Sequence, residues 1–182
     1  EMLARTVAWL KSRRNGKGGF ERDGQALDNF GRASPEVTDA YILYAVSEAG
    51  MIDQFPEELA AQSRRAAETK DPYLLALAAN TLLNTPAKVA EGQAATLRLA
   101  GMQKPEGVFT GADHSITRSG GSNLDIETTA LATLAMLKAK NNPDAVRRSV
   151  DWLNKNRGGF GEWGATQATV LALKASTEYA LA

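Results

Sequence analysis

Few residues in this 182-residue chain are of types that carry chemistry. It has no cysteine and a single histidine, His114. Disulfides, thiolate metal sites and cysteine nucleophiles are therefore excluded, and a histidine-rich metal centre or an internal Ser-His-Asp triad is hard to build. No metal and no cofactor is expected. His114 stands in a long polar stretch and reads as an exposed spectator. Carboxylates remain as acid–base candidates. A glycoside hydrolase needs two of them roughly 5 to 9.5 Å apart, and Asp39 with Glu127 is the pair to test. Asn15-Gly16-Lys17-Gly18-Gly19 superficially matches a phosphate loop, but Gly18 follows Lys17 where such a loop needs Ser or Thr, so the segment reads as a turn. Lys11, Arg13, Arg14 and Lys17 read as a solvated helix end whose cations complement the dipole, with no interleaved aromatics for nucleic acid.

Proline placement shows which elements hold these residues. Ser34-Pro35, Asp71-Pro72, Thr85-Pro86 and Asn142-Pro143 each put a capping side chain before a proline, and Phe55-Pro56-Glu57-Glu58 adds acidic residues to a first turn. Helices are expected to begin near 35, 56, 72, 86 and 143. Apolar spacing adds three more, through Leu3, Val7 and Leu10, through Ile126, Ala130, Leu134 and Leu137, and through Val170, Leu171 and Leu173. The fold class is all-α, with about eight helices and no convincing strand.

These helices alternate between two chemical kinds. Tyr41 to Val46, Tyr73 to Leu83, Ala130 to Leu137 and Ala168 to Leu173 carry no charge, whereas the intervening Glu57 to Lys70 segment carries six. A helix apolar on all sides is buried on all sides. The expectation is an α/α toroid: concentric antiparallel helical hairpins, with apolar helices inside and amphipathic ones outside.

An internal repeat supports the layers. Thr38-Asp39-Ala40, Thr128-Thr129-Ala130 and Thr166-Gln167-Ala168 open three inner helices, and upstream of each lies a glycine-aromatic turn: Gly18-Gly19-Phe20, Gly107-Val108-Phe109 and Gly158-Gly159-Phe160. Trp9-Leu10 and Trp152-Leu153 lie on the preceding outer helices and read as core wedges. Polar residues gather where the inner helices begin, at Glu36, Thr38 and Asp39, at Asp125, Glu127, Thr128 and Thr129, and at Thr166 and Gln167. The connection from Lys104 to Leu124 is expected to lie over that rim, which is the place to look for activity.

Twenty-one basic residues cancel 21 acidic ones, so the sequence implies no nucleic-acid partner. The longest uncharged stretch, Pro72 to Ala87, is interrupted by polar residues and is too short for a membrane span. Residues 1–182 read as a single domain or a piece of one.

Gly107-Val108-Phe109, Ser119-Gly120-Gly121 and Ile126-Glu127-Thr128-Thr129-Ala130-Leu131, with the Trp-Leu…Gly-Gly-Phe-Gly ending, resemble the thioester domain of bacterial alpha-2-macroglobulins, kin of the complement proteins. The resemblance implies an α/α toroid of six hairpins, of which about four are visible here, so the chain is expected to be the C-terminal part of that domain. It implies a parent that traps proteases, a non-catalytic structural and binding role, neighbouring macroglobulin-like β-sandwich domains and target proteases as partners, and a periplasmic or cell-envelope location. The family's reactive Cys-Leu-Glu-Gln motif is absent, since the chain has no cysteine. The complement branch places a catalytic histidine eight residues after the turn's Phe; Thr117 stands there, and His114 lies three positions earlier. The resemblance makes His114, Thr117, Glu127 and Thr128 the rim near the missing thioester. The competing class is an α/α-toroid enzyme, terpenoid cyclase-like or glycoside hydrolase-like. A cyclase would need an aspartate-rich motif of the Asp-x-Asp-Asp kind, which is lacking.

Overall fold

Proline occupies the first helical turn of α2 (Pro35–Glu48), α3 (Pro56–Glu68), α4 (Pro72–Leu83) and α7 (Pro143–Lys155) in the computed structural model, which describes residues 1–22 and 33–182. The others are α1 (Met2–Ser12), α5 (Val89–Met102), α6 (Gly121–Ala139) and α8 (Thr166–Leu181), giving eight α-helices and no β-strand among the described residues. Two of the expected caps form: Ser34 accepts from the Val37 N–H, and Asp71 accepts from those of Tyr73 and Leu74. Two do not. Thr85 donates its hydroxyl back to the Thr81 carbonyl, and Asn142 sits at φ +53° with its amide on Asn141.

The helices form outer–inner pairs in sequence order. The inner helices α2, α4, α6 and α8 pack each on the next, while α3, α5 and α7 bridge successive inner neighbours from outside. α4 and α6 are buried along most of their length. Tyr73, Leu75, Leu77 and Leu82 are at most 1% exposed, each contributing about 1.5–3 kcal/mol by leaving water. Asn80, inside this core, is tolerated because its amide donates to the Ala76 and Leu131 carbonyls and so ties α4 to α6. α1 borders α2 across an apolar groove and buries Val7 and Leu10. Trp9 is not the expected wedge. It lies about 100° round the helix from Leu10 and is 61% exposed, whereas Trp152 packs partly against the core.

One polar bond recurs at the glycine-aromatic turns. The Phe20 N–H donates to Asp39 Oδ1 (3.2 Å), the Phe109 N–H to Thr129 Oγ1 (3.1 Å) and the Trp163 N–H to Thr169 Oγ1 (2.9 Å). The third turn therefore anchors through Trp163, buried with its indole N–H on the Leu153 carbonyl, and not through Phe160, which is fully exposed. At the first two turns a glycine carbonyl is held from the next outer helix. Arg65 of α3 donates to the Gly18 carbonyl, and Ser149 of α7 to that of Gly107. Gly18 and Gly107 have φ of +77° and +99°, and a Cβ on them would overlap Ala61 Cβ and the Arg148 carbonyl oxygen respectively. Arg14 also departs from its expected solvated role. Its Nε donates at 2.7 Å to Glu58, a carboxylate with no exposed surface, because the turn folds back onto α3.

At the opposite end of the inner layer, Glu48 of α2 accepts from Lys138 of α6, Lys174 of α8 and Asn84, the residue closing α4. Both ammonium groups also lie about 6 Å from the Tyr44 ring centroid. Gln167 of α8 donates to the Tyr41 hydroxyl (2.9 Å), a second side-chain contact between α8 and α2. Partial burial works against the ionised Glu48, but the bonds from Lys138, Lys174 and Asn84 outweigh it and lower its carboxyl from 4.5 to about 2.

Two outcomes are expected. Glu48 contributes stability that is present above its unfolded value of 4.5 and lost as the pH falls through about 2. Urea denaturation across that window will show wild type losing its advantage over Glu48→Gln, an advantage of about 1 kcal/mol at neutral pH once solvent screening is allowed for. Gly107→Ala, strained in φ and overlapping α7, will cost about 2–4 kcal/mol in the same assay, while Gly101→Ala, in open space, will not destabilise.

Candidate functional site

The connection between α5 and α6 crosses the end at which α2, α4 and α6 begin, and residues 113–119 form a strap clipped to all three helices. The Ser34 N–H at the start of α2 donates to His114 Nε2 (2.9 Å). Asp71 divides its carboxylate, with Oδ1 capping α4 and Oδ2 accepting from the Asp113 N–H (2.9 Å). The Ile116 N–H donates to the hydroxyl of Tyr73, whose phenol is pushed well up by burial and stays protonated. The Ser119 hydroxyl donates to Glu127 Oε1 of α6 (2.6 Å). Within the strap, the Arg118 N–H closes a turn onto the Ser115 carbonyl, with Arg118 itself at φ +55°.

Along the strap the hydroxyls of Ser115, Thr117 and Ser119 form a chain, with 3.0 Å from Ser115 to Thr117 and 3.0 Å from Thr117 to Ser119. The chain ends on Glu127, which has no exposed surface. Burial raises the Glu127 carboxyl above the ordinary range, against the lowering effect of the bonds from Ser119, Ser115 and Thr117. Its second oxygen and the hydroxyl of Thr128 are buried without a protein partner. The structure thus brings Thr117 and Glu127 together through Ser119, seats Thr128 beside them in sequence, and gives His114 separate partners. His114 is not the expected exposed spectator. Its side chain is 20% exposed, with one nitrogen on Ser34 and the other 2.7 Å from Asp113 Oδ2.

Glu127 and Thr128 lie within α6 rather than at its opening. The helix starts earlier, at Gly121, whose φ of +55° suits glycine, and Asn123 in its first turn accepts the Ala165 N–H just before α8. Of the other rim residues, Asp39 and Thr129 hold turn N–H groups, Thr38 accepts from Arg22 and Gln167 donates to Tyr41, while Glu36 and Thr166 are exposed. Asp125 is half-buried, and burial raises its carboxyl. Asp39 and Glu127 hold different segments, the 18–20 turn and the strap, and neither stands as a free carboxylate. His114 directs its nitrogens to Ser34 and Asp113 and not to a hydroxyl of the strap, and of the strap's three hydroxyls it is Ser119 that donates to a carboxylate, the buried Glu127. No group of three or more His, Asp or Glu among the described residues is placed to hold a metal ion.

Of the strap's hydroxyl residues, Ser115 was not singled out from sequence, and Ser119 entered only through the Ser119-Gly120-Gly121 motif of the resemblance. Their signal was the alternation Ser115, Thr117, Ser119, which places three hydroxyls two residues apart. Asp71 was legible as a cap, but its second oxygen's role depends on where the strap crosses.

The chain matches the family model of the A-macroglobulin TED domain, the thioester domain, over residues 1–179. No curated protein matches it.

Since folding raises the Glu127 carboxyl, its contribution to stability is full at acid pH and is lost as the pH rises through the folded-state value. Glu127→Gln keeps an acceptor for Ser119 without the charge. Its melting temperature relative to wild type will rise by about 2–4 °C between pH 4 and pH 8, the change about 1 kcal/mol makes in a chain of this size. Thermal unfolding of both proteins across that range measures it.

Proposed function

We propose a role from one premise: the chain belongs to the family of the alpha-2-macroglobulin thioester domain. It serves as the structural and binding module of a bacterial protease trap, in a multidomain parent of the periplasm or cell envelope, and turns over no substrate itself. The match across residues 1–179 carries this reading. The rim supports it, because its polar side chains hold turns and the strap rather than converging on an open cleft. With no cysteine in the chain, no Cys–Gln thioester forms within these 182 residues. A parent that has one carries it elsewhere, and His114, Thr117, Glu127 and Thr128 form the rim beside it. Because Thr117 follows Phe109 by eight residues, where the complement branch has histidine, such a thioester reacts directly with amines.

Apolar side chains exposed on α1 (Met2, Trp9) and α8 (Val170, Leu173) are surfaces for the neighbouring β-sandwich domains. No helix among the described residues is long and apolar enough to cross a membrane.

The test mixes the parent protein with several endopeptidases and follows each on a large protein substrate and on a short peptide. Trapping predicts that cleavage of the large substrate falls while the peptide is still cut, and that deleting this domain restores the first activity. Unchanged cleavage of both substrates overturns the reading. A thioester-bearing parent should take up methylamine in preference to glycerol; equal uptake would remove the amine assignment.

A further inference from the structure

The single histidine makes two bonds of opposite demand. The Ser34 N–H can only donate, so His114 Nε2 at 2.9 Å must present its lone pair. The ring proton is then on Nδ1, where it is donated to Asp113 Oδ2 at 2.7 Å. This fixes a neutral imidazole in its Nδ1–H form. The Ser34 N–H precedes the proline that opens α2, and the Ser34 hydroxyl already serves the Val37 N–H, so His114 completes the start of that helix from 80 residues away. The strap's other bonds use different chemistry: Asp71 holds Asp113, Tyr73 holds Ile116, and Glu127 holds Ser119.

We propose that His114 is a proton-sensitive latch joining the 113–119 strap to the start of α2. A proton added at Nε2 sets two donors against each other at the position of one hydrogen bond, and the Ser34 contact is lost. The Nδ1–H bond to Asp113 persists and becomes charge-assisted. The strap therefore lets go of α2 while keeping its hold on α4 and α6. Among the described residues the ionisable groups around the latch are Asp113 on the strap itself, Arg22, whose guanidinium holds the Ala33 carbonyl of the same peptide unit as the Ser34 N–H, Asp71 from α4 through the Asp113 N–H, and Glu127 from α6 at the strap's far end. Release uncovers the α2 side of the rim without unfolding the helical layers.

With one histidine, the imidazole signals of the uniformly 15N-labelled chain need no assignment by mutation. At alkaline pH the long-range 15N–1H pattern should be that of the Nδ1–H form. As the ring is protonated, the Ser34 amide should shift with the ring's own titration. Its protection factor against hydrogen exchange should fall about tenfold, the order expected for one lost hydrogen bond, while the Phe109 amide, held by Thr129, keeps its protection. In His114→Gln, whose amide oxygen can accept at any pH, the Ser34 amide should show no such pH dependence. In His114→Ala it should be weakly protected throughout. An Nε2–H ring at alkaline pH, or Ser34 protection that does not follow the ring's titration, overturns the latch. If the alanine variant does not fold, wild type and His114→Gln decide the question alone.

Discussion

The arrangement depends on how a backbone N–H is satisfied where the chain passes from an outer helix to an inner one. A buried amide without a partner is costly. In three passages the solution is the same: the N–H of a buried aromatic residue donates to a polar side chain of the inner helix, Asp39, Thr129 or Thr169. The aromatic ring and its amide are thereby fixed together, one in the core and one on the helix. Phe20 extends the contact, its ring meeting that of Phe55, the residue that opens α3, edge-on at 5.8 Å. Inner helices that are apolar on all sides can then stack without supplying polar faces of their own.

This logic also explains what sequence patterning conveyed and what it did not. Proline placement and apolar spacing located the helices, because both act within a few residues of one another. The third turn was placed on Phe160 because glycine–glycine–Phe looked alike in each copy, but the choice between Phe160 and Trp163 rests on which ring can reach the Leu153 carbonyl and on Thr169 standing six residues on. His114 and Arg14 were misjudged for a shared reason. Their partners, Ser34 and Glu58, are 80 and 44 residues away, and no local pattern records a pairing at that separation. Glu127 and Thr128, expected where an inner helix opens, lie inside α6, since Gly121 to Asn123 carry no apolar periodicity to mark the helix start.

The two ends of the inner layer use different electrostatics. Glu48 concentrates charge on one point, where two ammonium groups and an amide converge on a single carboxylate. The 113–119 strap spreads its bonds to the helices over neutral donors, namely a hydroxyl and backbone amides, with the buried Glu127 carboxyl favouring the protonated form. Salt screens the first kind of contact more than the second, so the strapped end depends less on ionic strength than the end gathered around Glu48.

The glycines of the first two turns have a geometric consequence. Gly18 and Gly107 let the turn's backbone touch the next outer helix directly, with no side chain between them. The absent Cβ therefore sets how closely α3 approaches the turn before α2, and α7 the turn before α6. A bulkier residue at either position would push neighbouring outer helices apart while the inner ones, packed through Leu and Ala, kept their spacing. The turn would separate from the outer helix that holds it, and the Arg65 bond to the Gly18 carbonyl or the Ser149 bond to the Gly107 carbonyl would be lost with the contact.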